Sequence, residues 1–151
     1  MSKILLIFFA IFIAVLSVDQ AIKQIFLNGF TWKSSVIDLY LVFNYGVAFS
    51  MFSFLGENLK YIQIILIVSL FVLLCKEKDF FQNNVIATGF IFGAGSSNIL
   101  DRFLHDGVVD YIAWHYKFEF AVFNFADMMI NFGVFLIILK IYLNYRKTKQ
   151  K

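Results

Sequence analysis

Long apolar blocks alternate with shorter polar segments along this chain, and that pattern predicts membrane-spanning helices. The blocks lie at residues 4–18, 61–75, 80–100 and about 123–145. A spanning helix needs about 20 mostly apolar residues. The first two blocks reach that length when flanking charged residues extend them, because lysine side chains can reach the interface from inside a helix. We therefore predict four spans, at roughly residues 4–24, 57–75, 82–103 and 123–145.

Two segments between the spans have a different pattern. Residues 31–54 and 107–123 are rich in Val, Ile, Tyr, Phe and Trp and partly alternate, as in "KFEFAVF". Such runs favour β-strands. The predicted fold class is therefore a membrane α-helical protein, in which a four-transmembrane-helix bundle carries a small extracytoplasmic β-sheet. At this length we expect one integral membrane domain that covers residues 1–151.

Composition supports a membrane protein. The chain is 61% hydrophobic and 15% charged, whereas soluble domains average about 45–50% and 25%. The first block also resembles a cleaved signal peptide, but it lacks an evident A-x-A cleavage pattern, which favours a retained span. Cys75 is the single cysteine, and we expect a buried, inert thiol there.

Charge predicts the orientation. Four spans put both termini on one side, and that side would hold eight of the 13 basic residues. The positive-inside rule then places both termini in the cytoplasm and the opposite loops on the outer face of the membrane. The net charge of +3 does not indicate nucleic acid, because the clustered basic residues lie in the tail "YRKTKQK", which is typical of a lipid-facing anchor.

Polar residues gather toward the outer ends of the predicted spans, where an ionisable group indicates a functional site. They are Asp19, Lys23, Asn44, Asn98, Asp101, Arg102, Asn124 and Asp127. Asp19 and Lys23 are four residues apart and can pair, either as an interfacial salt bridge or as contacts for a substrate head group. One helix face carries Asn98, Asp101 and Arg102, and we expect these residues to be mostly structural. Arg102 would either neutralise Asp101 or hold a loop carbonyl.

Asp110 and Asp127 have no basic neighbour in the sequence. Two carboxylates brought together in an apolar site share a proton, and such a pair can activate water and protonate a leaving amine. Alternatively, they are unrelated, with Asp127 capping the fourth helix. Spacing alone leaves both interpretations open and favours the second. His105 and His115 form no metal-ligand pattern, so we predict no metal and no cofactor.

Five sequence blocks together resemble the lipoprotein signal peptidase family, the bacterial type II signal peptidases. The blocks are "DQAIK" at Asp19–Lys23, "FNYGVAFS" at Phe43–Ser50, "GAGSSNILDRF" at Gly93–Phe103, "GVVDYI" at Gly107–Ile112 and "FNFAD" at Phe123–Asp127. Each block alone is weak, but their order over nearly the whole chain is specific.

The resemblance implies a membrane aspartic endopeptidase with Asp110 and Asp127 as its catalytic pair. The implied substrate is a diacylglyceryl-modified prolipoprotein, cut just before the lipidated cysteine, with membrane lipid as the surroundings. Supporting residues would position the substrate or brace the pair: Asp19, Lys23, Asn44, Asn98, Asp101, Arg102 and Asn124. We expect a monomer.

The glycine block departs from the family pattern, because Ala94 and Ser97 stand where glycines are usual. Their side chains are expected to narrow the substrate groove or to shift the third span slightly. Two other functions remain as alternatives. One is a small transporter whose ion path uses Asp19, Lys23, Asp101 and Asp127, and the other is an assembly factor that binds a partner through its outer sheet.

Overall fold

The computed structural model describes residues 2–47 and 51–149, which contain five α-helices and two β-strands. The helices are α1 (Ser2–Leu27), α2 (Asn58–Lys76), α3 (Lys78–Asn83), α4 (Val85–Leu104) and α5 (Phe125–Lys149). The strands are β1 (Ile37–Asn44) and β2 (Val108–Trp114), and a 3-10 helix covers Ser53–Leu55. Ala48, Phe49 and Ser50 of the second sequence block lie outside the described residues, as does Lys151 of the basic tail.

Within the described residues, three helices are long and apolar enough to cross a membrane. They are α1, α2 and α5, with mean hydropathies of 2.4, 2.1 and 1.8 over their most apolar stretches. The third predicted span corresponds to α4, whose 20 residues are long enough but more polar. Because α4 packs between α1 and α5, those neighbours cover many of its polar side chains. The crossing by α4, like the single domain, stays a prediction.

The junction between α2 and α4 differs from the prediction. Residues 78–83 form the separate short helix α3, and Asn84 lies between it and α4, so the long helix begins at Val85 and not at 82. Cys75, which we expected to be buried, is exposed near the end of α2. Most of α2 is exposed, and Leu59 is its one buried residue, because this helix contacts α4 along one edge and hardly touches α5.

Glycines allow the three tightly packed helices to approach one another. A Cβ atom on Gly93 of α4 would lie 2.6 Å from the Phe12 carbonyl oxygen of α1. One on Gly133 of α5 would lie 2.8 Å from the Ala87 carbonyl oxygen of α4. Backbone therefore meets backbone on both sides of α4, as is common where small residues line helix contacts in membranes.

The two strands form the predicted small sheet, and a β-bulge sets its register. The antiparallel pairs include Leu39 with Ile112 and Val42 with Asp110, so β1 holds one extra residue between them. A one-residue shift moves the following side chains to the other face of a sheet. The bulge thereby places Asn44, which pairs two residues before Asp110, on the same face as that carboxylate.

The strand predicted in "KFEFAVF" is wrong for most of its length. Residues 117–122 are irregular, and only Phe123 pairs, in an isolated bridge with Ile112. Lys117 has a positive φ of 65°, which breaks the extended run immediately after β2. The segment instead turns back beside β2 and leads into α5.

We expect Gly93→Ala to destabilise the protein by about 1–3 kcal/mol, because the added methyl group would collide with the backbone of α1. Thermal unfolding in detergent micelles measures the effect. Gly95→Ala is the matched control in the same helix, since its Cβ would meet only the flexible end of the Ile67 side chain. Equal losses in the two variants would contradict this account of the helix contact.

Candidate active site

A cavity of about 610 Å³ lies between α2, α4 and α5, closed at one end by β2 and the segment before α5. Its polar end is lined by Asn44, Asn98, Arg102, Asp110 and Asp127. Its other walls are mostly apolar and include Leu66, Ile67, Leu70, Ile91, Ile99 and Ile130. The structure thus brings the two aspartates of the predicted pair to one end of one cavity.

Asp110 projects from β2 and is only 1% exposed. Its carboxylate accepts two amide hydrogen bonds, from Asn44 Nδ2 at 3.0 Å and from Asn124 Nδ2 at 2.7 Å. Burial raises the pKa of Asp110 to about 7, and the charge of Asp127 adds to that increase, while the two amides oppose it. This carboxyl group is therefore poised to exchange a proton near neutral pH.

Asp127 lies in the first turn of α5 and forms a reciprocal capping box with Asn124. The Asp127 backbone N–H donates to Asn124 Oδ1 at 2.9 Å, and the Asn124 backbone N–H donates to Asp127 Oδ2 at 3.1 Å. Asn98 Nδ2 donates to the other carboxylate oxygen at 3.0 Å. Asp127 therefore caps the start of α5, as the second interpretation predicted. Capping does not exclude a catalytic pair with Asp110, because the same carboxylate also lines the cavity.

Asn124 joins the two aspartates and is fully buried. Its Oδ1 receives the backbone N–H of Asp127, while its Nδ2 is 2.7 Å from Asp110 Oδ1 and 3.1 Å from Asn98 Oδ1. One side chain therefore fixes the start of α5 relative to β2 and α4.

Two further side chains complete the cap of α5. The Phe125 N–H donates to the hydroxyl of Tyr111 at 3.0 Å, and the Ala126 N–H donates to Asp19 Oδ1 at 2.9 Å. The Tyr111 ring stacks on Phe26 of α1 with centroids 4.1 Å apart. A carboxylate at a helix N-terminus is favoured by the helix dipole, so Asp19 binds α1 to α5 through that end.

Lys23 is the centre of a buried ionic cluster. Its Nζ lies 2.6 Å from Asp19 Oδ2 and 2.7 Å from Asp101 Oδ2, and it donates to Asn98 Oδ1 at 2.8 Å. The predicted pairing of Asp19 with Lys23 is confirmed. Both side chains are at most 1% exposed and do not line the cavity, so neither the interfacial salt bridge nor direct contact with a substrate head group describes this pair.

Arg102 holds the end of β1 and does not pair with Asp101. Its guanidinium donates to the carbonyl oxygens of Asn44, at 3.3 Å, and of Gly46. Its Nε donates to Gln63 Oε1 of α2 at 2.7 Å. Of the two predicted roles, the contact with loop carbonyls is therefore the one observed.

Four polar residues in this network were missed by sequence reasoning as site residues. Gln20 Nε2 donates to Asp101 Oδ1 at 2.7 Å and to Ser97 Oγ at 2.8 Å, and Ser97 Oγ donates to Asp19 Oδ2 at 2.7 Å. Gln63 and Tyr111 are the other two. Gln63 had a usable signal, since a lone polar residue in an apolar span indicates an internal partner.

The expected effect of Ala94 and Ser97 on the groove is not found. Both side chains are fully buried, and neither lines the cavity. Ala94 packs with Val15 of α1 and Ala126 of α5. The departures from the glycine pattern therefore lie on the face of α4 that points away from the cavity.

Solved structures with a similar fold include two that match most of this chain. Both are described as bacterial membrane enzymes and were solved by the in meso method, at 2.3 Å and 1.9 Å resolution. Each is 26% identical to this chain, with TM-scores of 0.77 and 0.73. The first match covers 95% of this chain and 92% of that structure, and the second covers 89% and 91%. Fold and site together therefore define a membrane enzyme.

The family model of signal peptidase (SPase) II matches residues 11–143. A lipoprotein signal peptidase of Helicobacter pylori is 54% identical over 139 residues, which are 92% of this chain and 88% of that protein. One of Campylobacter jejuni is 47% identical over 149 residues, 99% of this chain and 96% of that protein. The chain belongs to the signal peptidase II family, and the resemblance inferred from the five sequence blocks is confirmed.

Lys23→Met is expected to cost about 3–5 kcal/mol of folding stability, because it leaves two buried carboxylates without their counter-ion. Thermal unfolding in detergent, with gel filtration of the folded fraction, measures the loss. Lys33→Met is the matched control at an exposed lysine and should change stability by less than about 0.5 kcal/mol. A Lys23→Met protein as stable as wild type would show that the cluster does not hold the helices together.

Proposed function

We propose that this protein is an aspartic endopeptidase that removes the signal peptide from diacylglyceryl-modified prolipoproteins, cutting just before the lipidated cysteine. The observation that carries the proposal is the convergence of Asp110 and Asp127, from two different elements, on the polar end of one cavity whose other walls are mostly apolar. The names of the relatives support the substrate class.

Asp110 and Asp127 are the proposed catalytic pair. With one shared proton, the ionised carboxylate takes a proton from water while the protonated one donates a hydrogen bond to the scissile carbonyl. The water oxygen adds to that carbonyl carbon, and collapse of the tetrahedral intermediate breaks the C–N bond as the cysteine amine gains a proton. A coupled pair titrates jointly, so the two roles are properties of the pair.

The remaining predicted residues are proposed as positioning groups. Asn44, Asn98 and Asn124 donate hydrogen bonds to the catalytic carboxylates. Lys23 donates to Asn98, which links the ionic cluster to Asp127. Arg102 fixes the carbonyl groups on either side of Tyr45, at the end of β1 that carries Asn44.

The cavity supports a lipid-bearing substrate. Its apolar walls suit acyl chains, and α2 hardly touches α5, which leaves a lateral approach from hydrocarbon. We infer that the aspartate end faces outward and both termini are cytoplasmic, as the charge distribution predicts. A monomer without a metal or cofactor suffices for this mechanism, since both proton-transfer groups come from one chain.

The two alternatives have less support. Within the described residues, the ionisable side chains that line the cavity lie at one end, which does not provide the row of polar groups that an ion path across the membrane needs. An assembly factor would not require two carboxylates in a shared cavity. Cleavage of a lipidated prolipoprotein by purified protein separates both alternatives from the proposal.

Replacing either catalytic aspartate by asparagine should abolish cleavage while the protein remains folded. Asp110→Asn and Asp127→Asn remove the group that exchanges a proton but keep the side-chain volume. The measurement is mass spectrometry of a diacylglyceryl-modified prolipoprotein incubated with each purified variant, together with its thermal unfolding curve.

Asp106→Asn is the matched control, because Asp106 is exposed near the same sheet and does not line the cavity. Its backbone has a φ of 59°, which asparagine tolerates well. This variant should cleave at the wild-type rate. Near-normal cleavage by a folded Asp110→Asn or Asp127→Asn protein would refute the catalytic assignment.

The pH profile of kcat/KM should fall above about pH 7. The pair needs its proton, and the raised pKa of Asp110, about 7, means that this proton is lost as the pH rises through that value. Asn44→Ala removes a donor that favours the ionised form, so it should raise the pKa further and move the alkaline limb to higher pH. Asp106→Asn should leave the limb in place. An unshifted limb in Asn44→Ala would show that another group titrates there.

A further inference from the structure

Asn131 is a polar side chain in the cavity that no role above uses. It lies on α5, four residues after Asp127, and lines the cavity together with Ile130 and Leu66. It is exposed, and within the part of the chain that the structure describes it makes no hydrogen bond. The three asparagines at the polar end all have partners, so Asn131 is distinct from them.

Asn131 lies on a helix that is long and apolar enough to cross a membrane. An amide that hydrocarbon surrounds is unfavourable without a hydrogen bond, because no water is there to replace the missing partner. A polar residue inside a membrane segment is therefore a functional candidate. Its partner has to be something that enters the cavity.

A peptide substrate would bring such a partner. For a carboxylate pair to reach the scissile carbonyl, the substrate backbone must be unwound around the cleaved bond. Unpaired backbone N–H and C=O groups are strongly unfavourable where hydrocarbon surrounds them. A carboxamide offers both a donor and an acceptor, which matches one peptide unit.

The position of Asn131 along α5 determines which peptide unit of the substrate it can contact. Asn131 and Asp127 are one turn apart on the same face of α5, which corresponds to about 6 Å along the axis. Asn131 is on the side farther from the sheet. An extended chain covers that distance in about two residues. In the proposed reaction the part of the substrate that runs inward from the cleaved bond is the signal peptide.

We propose that Asn131 binds a main-chain peptide group of the signal peptide, about two residues before the cleaved bond. This assignment rests on the proposed function and adds a substrate contact to it. It makes Asn131 a substrate-binding residue that helps to keep the signal peptide extended beside the aspartates.

The test pairs Asn131→Leu with altered substrates. Loss of one hydrogen bond should lower kcat/KM about three- to tenfold, mainly through KM, because the contact exists before and during the reaction. Substrates carrying a single backbone ester in place of an amide, at the second or third position before the cleaved bond, should lose a similar factor with wild type. At one of those two positions, the ester should not lower kcat/KM of Asn131→Leu any further.

Two controls separate the possible causes. Asn144→Leu makes the same chemical change on α5 far from the cavity and should cleave as wild type does. A substrate whose acyl chains are ether-linked removes the ester carbonyls of the lipid, and the loss in Asn131→Leu should be unchanged on it. Wild-type cleavage of the unaltered substrate tests the proposed function itself, independently of Asn131.

Three results would overturn the assignment. The first is wild-type kinetics in Asn131→Leu. The second is a backbone ester that, at both positions, lowers kcat/KM of Asn131→Leu by the same factor as it lowers that of wild type. The third is a loss of kcat/KM in Asn131→Leu that disappears with the ether-linked lipid. The last result would identify the lipid carbonyl as the ligand. Each can occur while wild type cleaves normally, so failure here is distinguishable from failure of the peptidase proposal.

Discussion

The buried ammonium group of Lys23 is the interaction on which the rest of the site depends. It neutralises a carboxylate from its own helix, Asp19, and one from α4, Asp101, and Asp19 in turn caps α5 through Ala126. Because a buried ion is costly without its partners, α1, α4 and α5 cannot separate without exposing unpaired charge in a medium that cannot solvate it. The glycine contacts bring the helices together, and the ions determine how they align.

Stability and proposed chemistry share the same atoms at the start of α5. The hydrogen bonds that begin this helix involve Asn124 and Asp127, and the same two side chains also contact the groups around Asp110. The cap therefore gives Asp127 its position without a separate support. It also means that Asn124 cannot be replaced without disturbing both the helix and the carboxylates, whereas Asn44 and Asn98 each contact one aspartate.

Local features of this protein could be predicted, whereas contacts set by packing could not. The apolar spans, the small sheet and the pairing of Asp19 with Lys23 follow from periodicities within a few residues. The link from Gln20 to Asp101 joins positions 81 residues apart, and no pattern along the chain predicts it. The bulge in β1 that turns Asn44 toward Asp110 could not be predicted from the sequence either, because the register of a strand depends on its partner strand.

The altered glycine block shows why a departure from a family pattern need not change a site. Gly93 faces the backbone of α1 so closely that no side chain fits. At Ala94 and Ser97 each added group has a partner: an apolar cluster for the methyl group, and Asp19 with Gln20 for the hydroxyl. What decides whether a glycine can be replaced is thus the atom opposite it. By the same reasoning, the serine hydroxyl adds a bond to the ionic cluster that a glycine at this position cannot make, so this chain holds Asp19 by one more contact than the usual pattern allows.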